Sequence, residues 1–114
     1  MKIHYNELDN GISLIKLSGI LDINGAGEVE TQFAGYCAGE KIRVIVDLSQ
    51  VEFLASIGIR LLVLTAKSVA SRGGRMVLLS PIPEVQSVLE ITGIPAIIPS
   101  YSQFESAETV LMAS

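Results

Sequence analysis

The sequence predicts an α/β fold: one small, mixed, mostly parallel β-sheet with an N-terminal antiparallel hairpin and about four packed helices. Three observations predict it. Val44-Ile45-Val46 is a near-continuous β-branched run, as in a strand buried on both faces. Strand-like and helix-like segments alternate singly along the chain, which implies parallel pairing through right-handed crossovers. Two strand-like segments joined by Asp9-Asn10-Gly11 open the chain as a hairpin.

The elements follow in the order β-β-α-β-α-β-α-β-α. Ile3–Glu7 reads as an edge strand, and Ser13–Ser18 alternates apolar and polar residues as its partner. Gly19-Ile20-Leu21-Asp22 ends that segment. Asn24 is the expected N-cap of a helix running to about Ala38. Its Ala26, Val29, Phe33 and Cys37 share one face, while Gly25, Gly27 and Gly35 weaken it. Ile42–Leu48 is the surest strand, with Asp47 near its C-terminal end. Ser49-Gln50 is read as a turn, and Val51–Leu54 as a lead into Ala55-Ser56-Ile57-Gly58.

A helix of wide apolar surface is expected from about Ile57 to Arg72, with Arg60, Lys67 and Ser71 as its polar stripe. Gly73-Gly74 stops it. Arg75–Leu79 is another buried-type strand. A further helix spans about Ile82 to Thr92, closed by Gly93. Ala96–Ile98 is expected as a short strand ended by Pro99. Ser102-Gln103-Phe104-Glu105 has the form of a capping box. Phe104, Ala107, Val110 and Leu111 would then form the inner stripe of a last helix.

Composition bounds the function. The chain has 114 residues, 49% of them apolar and 18% charged, which suits one domain with one core. Residues 1–114 are therefore read as a single domain. The net charge is −4, and the eight Lys and Arg are scattered along the sequence without a run. A nucleic-acid binder usually carries a basic face, so direct nucleic-acid binding is not expected. Cys37 is the only cysteine, so no intrachain disulfide forms. It is read as a small core residue. The start lacks the apolar region of a signal peptide, and Ile57–Ala66 is broken by Arg60 and too short to span a bilayer. A cytoplasmic protein without membrane insertion is the expectation.

Few residue patterns offer chemistry. His4 is the only histidine and reads as an outward residue of the edge strand. No His/Cys cluster suits zinc. Gly25-Ala26-Gly27 lacks the third glycine of a dinucleotide fingerprint, since Glu30 stands there. Asp22 and Asp47 both follow predicted strands, and adjacent strands would bring them to one sheet end. Alone, they are more often cap and turn residues than an acid and base. The chain is thus not expected to be an enzyme, and no cofactor is expected. What remains is Ser56, just before a well-formed helix and a natural N-cap. A phosphate on its hydroxyl would suit the helix dipole.

Residues Val44 to Gly93 resemble the STAS domain of bacterial anti-sigma factor antagonists, the family of SpoIIAA and RsbV. The resemblance rests on Val46-Asp47-Leu48-Ser49, then Phe53-Leu54-Ala55-Ser56-Ile57-Gly58, then Gly73-Gly74-Arg75-Met76-Val77-Leu78, Ser80-Pro81-Ile82-Pro83-Glu84-Val85 and Thr92-Gly93-Ile94. Leu17-Ser18-Gly19-Ile20-Leu21-Asp22 is similar to the family's second strand and its Gly-x-Leu-Asp turn. The family's phosphorylated serine falls at Ser56, its helix-opening glycine at Gly58, and its turn aspartate at Asp22. Two positions depart from the family's Asp-Ser-Ser/Thr-Gly: Ala55 replaces Asp and Ile57 replaces the second Ser/Thr.

The resemblance implies partner switching. The unphosphorylated protein would bind an anti-sigma factor with serine kinase activity and a histidine-kinase-like ATPase fold. Phosphorylation of Ser56 would release it, and a PP2C-type phosphatase would restore the cycle. The implied partner face comprises Asp22, Asn24, Ala55, Ser56, Ile57, Gly58, Arg60 and Leu61. Arg60 would pair with a partner carboxylate, and Leu61 or Leu64 would supply apolar contact. A weak homodimer stays open. The alternative is a non-cycling STAS scaffold or an accessory subunit of a membrane transporter.

Overall fold

The computed structural model describes residues 1–113. Strands β1 (Lys2–Glu7) and β2 (Ser13–Leu21) form the hairpin, and helix α1 (Ile23–Tyr36) follows. Then come β3 (Arg43–Leu54), α2 (Ser56–Ser71), β4 (Arg75–Leu79), α3 (Pro83–Ile91), a 3-10 turn (Ile94–Ala96), β5 (Ser100–Tyr101) and α4 (Phe104–Met112). The sheet order is β1-β2-β3-β4-β5. Only β1 and β2 pair antiparallel; every other neighbour is parallel. The expected fold class is thus observed.

The two sheet faces are covered unequally. Helices α1, α2 and α3 bury one face through Val29, Phe33, Leu62, Val69, Val85 and Leu89, which meet Ile15, Leu17, Val44, Val46 and Leu78. Helix α4 lies alone on the other face, where Ala107 and Leu111 cover Ile12, Ile45, Val77 and Leu79. Alternate residues of β3 and β4 therefore face different helices. That is why both strands read as continuous apolar runs. Tyr36, at the end of α1, stacks on Tyr5 of the edge strand with ring centroids 4.5 Å apart. Cys37 is buried in the main core, and burial pushes its thiol up to about 11 against the opposing pull of Arg72. It is a core residue, held in the unreactive protonated form.

Several element boundaries differ from the sequence reading. β2 continues past Ser18 to Leu21 because Gly19 takes φ +112°, which lets the strand pass a kink. Ser49-Gln50 does not turn the chain: β3 runs unbroken to Leu54. Relative to β2 it carries one extra residue between Asp47 and Gln50 and another between Val51 and Phe53. These two bulges re-aim the strand. Leu48, Val51 and Leu54 all face the main core at a spacing of three, which period-two reading takes for a loop.

The last strand is Ser100–Tyr101, after Pro99, and Ala96 belongs to the 3-10 turn. Gly93 at φ +75° and Pro95 favour that tight turn over an extended segment. Ser102 forms no capping box; Gln103 holds the N-cap of α4, without a side-chain bond. The cations scattered in sequence also converge in part. Lys41, Arg43 and Arg75 line one shallow depression at the start of β3 and β4. No described helix is long and apolar enough to cross a membrane.

Phe33 is fully buried at the centre of the main core. Phe33→Ala is expected to lower stability by about 3–5 kcal/mol, read from the urea midpoint at unchanged m-value.

Candidate functional site

Parallel pairing brings the C-terminal ends of β2 and β3 side by side, with Leu21 opposite Leu54. Each strand feeds a helix there, so α1 and α2 begin next to each other. This is the edge where open α/β sheets usually place their sites. Asp22, not Asn24, caps α1: its Oδ1 accepts a hydrogen bond from the Gly25 N–H at 2.8 Å. Asn24 is two residues later, at the second helical position, exposed to solvent. Gly25 allows this close entry, because a Cβ there would lie 2.0 Å from the Ile20 carbonyl oxygen.

Helix α2 starts differently from the sequence reading. Ala55 is its N-cap and provides no side-chain bond. The Ala55 N–H donates to the Leu21 carbonyl at 3.0 Å, which adds a last rung to the β2–β3 ladder. The Ala55 carbonyl in turn accepts from the Gly58 and Ile59 N–H groups. Sheet pairing thus holds Ala55 extended and makes Ser56 the first helical residue. Ser56 does not cap the helix. Its side chain is exposed, and its hydroxyl bonds to nothing among the described residues.

Gly58 is where the two helix starts close on each other. A Cβ there would lie 2.6 Å from Leu21 Cγ and 2.7 Å from the Leu21 carbonyl oxygen. Ile57 and Arg60 are exposed, as a partner surface requires. Leu61 is not: it is packed in the main core, 9% exposed, whereas Leu64 is 53% exposed. The outward apolar contact of α2 therefore falls to Leu64. Leu64 lines the open depressions between α1 and α2, shared with Glu30 and Ala34 of α1.

The structure adds residues that sequence reasoning missed. Ile20 and Phe53 are paired across β2 and β3 and stand 49% and 53% exposed. Ile23, at the start of α1, is 73% exposed. With Ile57 they are exposed apolar side chains on the ends of β2 and β3 and the starts of α1 and α2. Between α1 and α2 runs an open depression of about 370 Å³, lined by Ala26, Glu30, Ile57, Arg60, Leu61 and Leu64. The signal for Ile20 and Phe53 was the bulge in β3, which has no motif of its own.

Asp22 and Asp47 are not brought together. Asp47 lies inside β3, level with Lys16 and Leu79, and its Oδ1 accepts from the Ser49 N–H at 2.9 Å. His4 is exposed on the edge strand opposite Lys16. Among the described residues no group of three or more His, Cys, Asp or Glu is placed to hold a metal ion. The arrangement offers an exposed serine hydroxyl at the start of α2, exposed apolar residues at the same sheet edge, and Arg60 one helical turn further on.

Truncating the α1 cap, Asp22→Ala, is expected to cost about 1 kcal/mol in chemical denaturation. Gly58→Ala is expected to cost about 1–3 kcal/mol, seen as a lower thermal midpoint, because Leu21 must move.

Comparison with known proteins agrees with this geometry. A profile of the STAS domain matches residues 6–107. The chain is 30% identical over 107 residues to the candidate anti-sigma factor antagonist BtrV of Bordetella bronchiseptica, covering 94% of this chain and 91% of that protein. An anti-sigma-factor antagonist (STAS) domain protein from Planctomyces limnophilus superposes with a TM-score of 0.85 at 26% identity, over 98% of both chains. An anti-sigma factor antagonist from Mycobacterium paratuberculosis gives a TM-score of 0.87 at 25% identity, over 97% of this chain and 93% of that one. The chain belongs to the STAS domain family.

Proposed function

We propose that this protein is an anti-sigma factor antagonist, a protein substrate and binding partner that is not itself an enzyme. Near-full-length likeness to relatives carrying that name supports the reading. The single observation that carries it is the Ser56 hydroxyl. It is exposed and unbonded among the described residues, at the sheet edge where Ile20, Ile23, Phe53 and Ile57 also stand exposed. Monomeric surfaces seldom leave such residues grouped without a partner to cover them.

In the proposed cycle the unmodified protein docks this face on an anti-sigma factor with a histidine-kinase-like ATPase fold, and the sigma factor is set free. Asp22, Asn24, Ala55, Ser56, Ile57, Gly58 and Arg60 belong to the docking face. Leu64 takes the place of Leu61. The partner then acts as a serine kinase. The Ser56 oxygen attacks the γ-phosphorus of ATP and its proton passes to a base of the kinase. The bond to the β–γ bridging oxygen breaks, and ADP leaves. The product carries about −1.5 to −2 charges where an apolar contact had been. Charge buried without compensation costs several kcal/mol, so the complex separates. A PP2C-type phosphatase hydrolyses the ester, returning the hydroxyl and releasing orthophosphate. The cycle belongs to the cytoplasm, where sigma factors act.

Intact-mass analysis and phosphopeptide mapping of protein from its own host should find one phosphate, on Ser56. Ser56→Asp should weaken binding to the anti-sigma factor by about 100-fold or more, with Ser56→Ala nearly unchanged. Protein that stays unmodified across growth and stress, and with kinase and ATP, would reject the phospho-switch. A non-cycling scaffold or transporter accessory would then be the better reading.

A further inference from the structure

We propose that Arg60 is the intramolecular receiver of the Ser56 phosphate, so that phosphorylation withdraws this guanidinium from the partner as well as adding charge. The proposal rests on the reading of Ser56 as a phosphorylation site.

Ser56 and Arg60 stand four apart on α2, so they are neighbours on one helix face. Helical side chains lean towards the helix N-terminus. The Arg60 stem therefore carries its guanidinium over the turn that holds Ser56 and Ile57, not away from it. The order also suits pairing, because an anion four residues before a cation is the better arrangement. A phosphoserine carries up to twice the charge of a carboxylate and three acceptor oxygens. A guanidinium meets such a group with two parallel N–H donors.

Arg60 is uncommitted. It is exposed and makes no hydrogen bond or ion pair among the described residues. Arg72 at the other end of α2 is fully used, donating to the Gly39 carbonyl, the Ser68 hydroxyl and the Cys37 carbonyl. No other Lys or Arg lies between Arg43 and Lys67. The first turn of α2 holds no acidic residue, and Ala55 brings no carboxylate to compete. The acidic groups at this end of the two helices are Glu30 of α1, which shares the depression with Arg60, and Asp22 at the α1 cap. Of these, Asp22 is engaged with the Gly25 N–H. Glu30 is the competitor, and its carboxylate lies across an open groove from Arg60.

The consequence is a two-state guanidinium. In the unmodified protein it is available to a partner carboxylate. In the phosphorylated protein it turns onto its own helix.

The test uses the full chain with phosphoserine installed at position 56 during translation, and needs no partner. Phosphorus NMR follows the second ionisation of the phosphate. In wild type it should fall about 0.3 unit below its value in Arg60→Gln, with Arg60→Lys in between. The Arg60 Nε resonance should move in the same pH interval. Glu30→Gln should lower the phosphate ionisation further. Equal phosphate titration in wild type and Arg60→Gln, with an Arg60 resonance that ignores it, would overturn the proposal. Circular dichroism confirms that the exposed substitution leaves the fold intact. The two readings fail separately. A pairing seen in the installed phosphoprotein, with Ser56 never modified in the host, would sink the phospho-switch alone. Phosphate found on Ser56 in the host, with no pairing by titration, would sink this inference alone.

Discussion

The site depends on one hydrogen bond, from the Ala55 N–H to the Leu21 carbonyl at 3.0 Å. It is the last rung between β2 and β3. Because Ala55 still belongs to the ladder, its backbone stays extended, and the helix begins at the next residue. Ser56 therefore enters the first turn with its side chain outward. Had the ladder stopped earlier, Ser56 would have been free to become the N-cap. Its oxygen would then have been spent on a backbone N–H. A serine that caps its own helix is a poor substrate, since the hydroxyl must leave that bond to react. The sheet thus exposes the hydroxyl by satisfying the backbone in another way.

The same rung sets the distance between the two helices. Leu21 meets Gly58 so closely that no side chain fits there, and Gly25 meets the Ile20 carbonyl in the same manner. These approaches bring α1 and α2 together at their starts. The depression between them opens next to Arg60 and Leu64. Apolar residues that the sheet cannot bury, Ile20 and Phe53, surface at the same edge. They are there because two bulges shift β3 against β2. A plain period-two strand would put its apolar residues on the core face or under α4. The irregular end of β3 leaves exposed apolar residues at this sheet edge.

Ala55 gives this surface a particular electrostatic character. A carboxylate at that position would put a negative charge next to Ser56 in the chain. Glu30 shares the depression with Arg60. Charge added at Ser56 then acts on an arginine with no competing anion on its own helix turn.

Local pattern was enough for the class of fold. β-branched runs, helical stripes and single alternation are short-range properties, and they specify a mixed α/β sheet with four helices. Phe33, Val44 and Leu62 were legible as core from their apolar pattern, whereas Ser56 read locally only as a helix cap and was singled out by the family resemblance. Tertiary structure decided which atoms are free. Asp22 rather than Asn24 caps α1, and Ala55 rather than Ser56 caps α2, because the ladder between distant strands settles where each helix begins. Leu61 is buried and Leu64 exposed because the sheet and α1 choose the buried side of a helix that is apolar almost all round. Ser49-Gln50 stays in a strand because β2 supplies the partners that a turn would have lacked. Capping, exposure and bulge position are set by contacts between residues far apart in sequence, and no window along the chain contains both halves of such a contact.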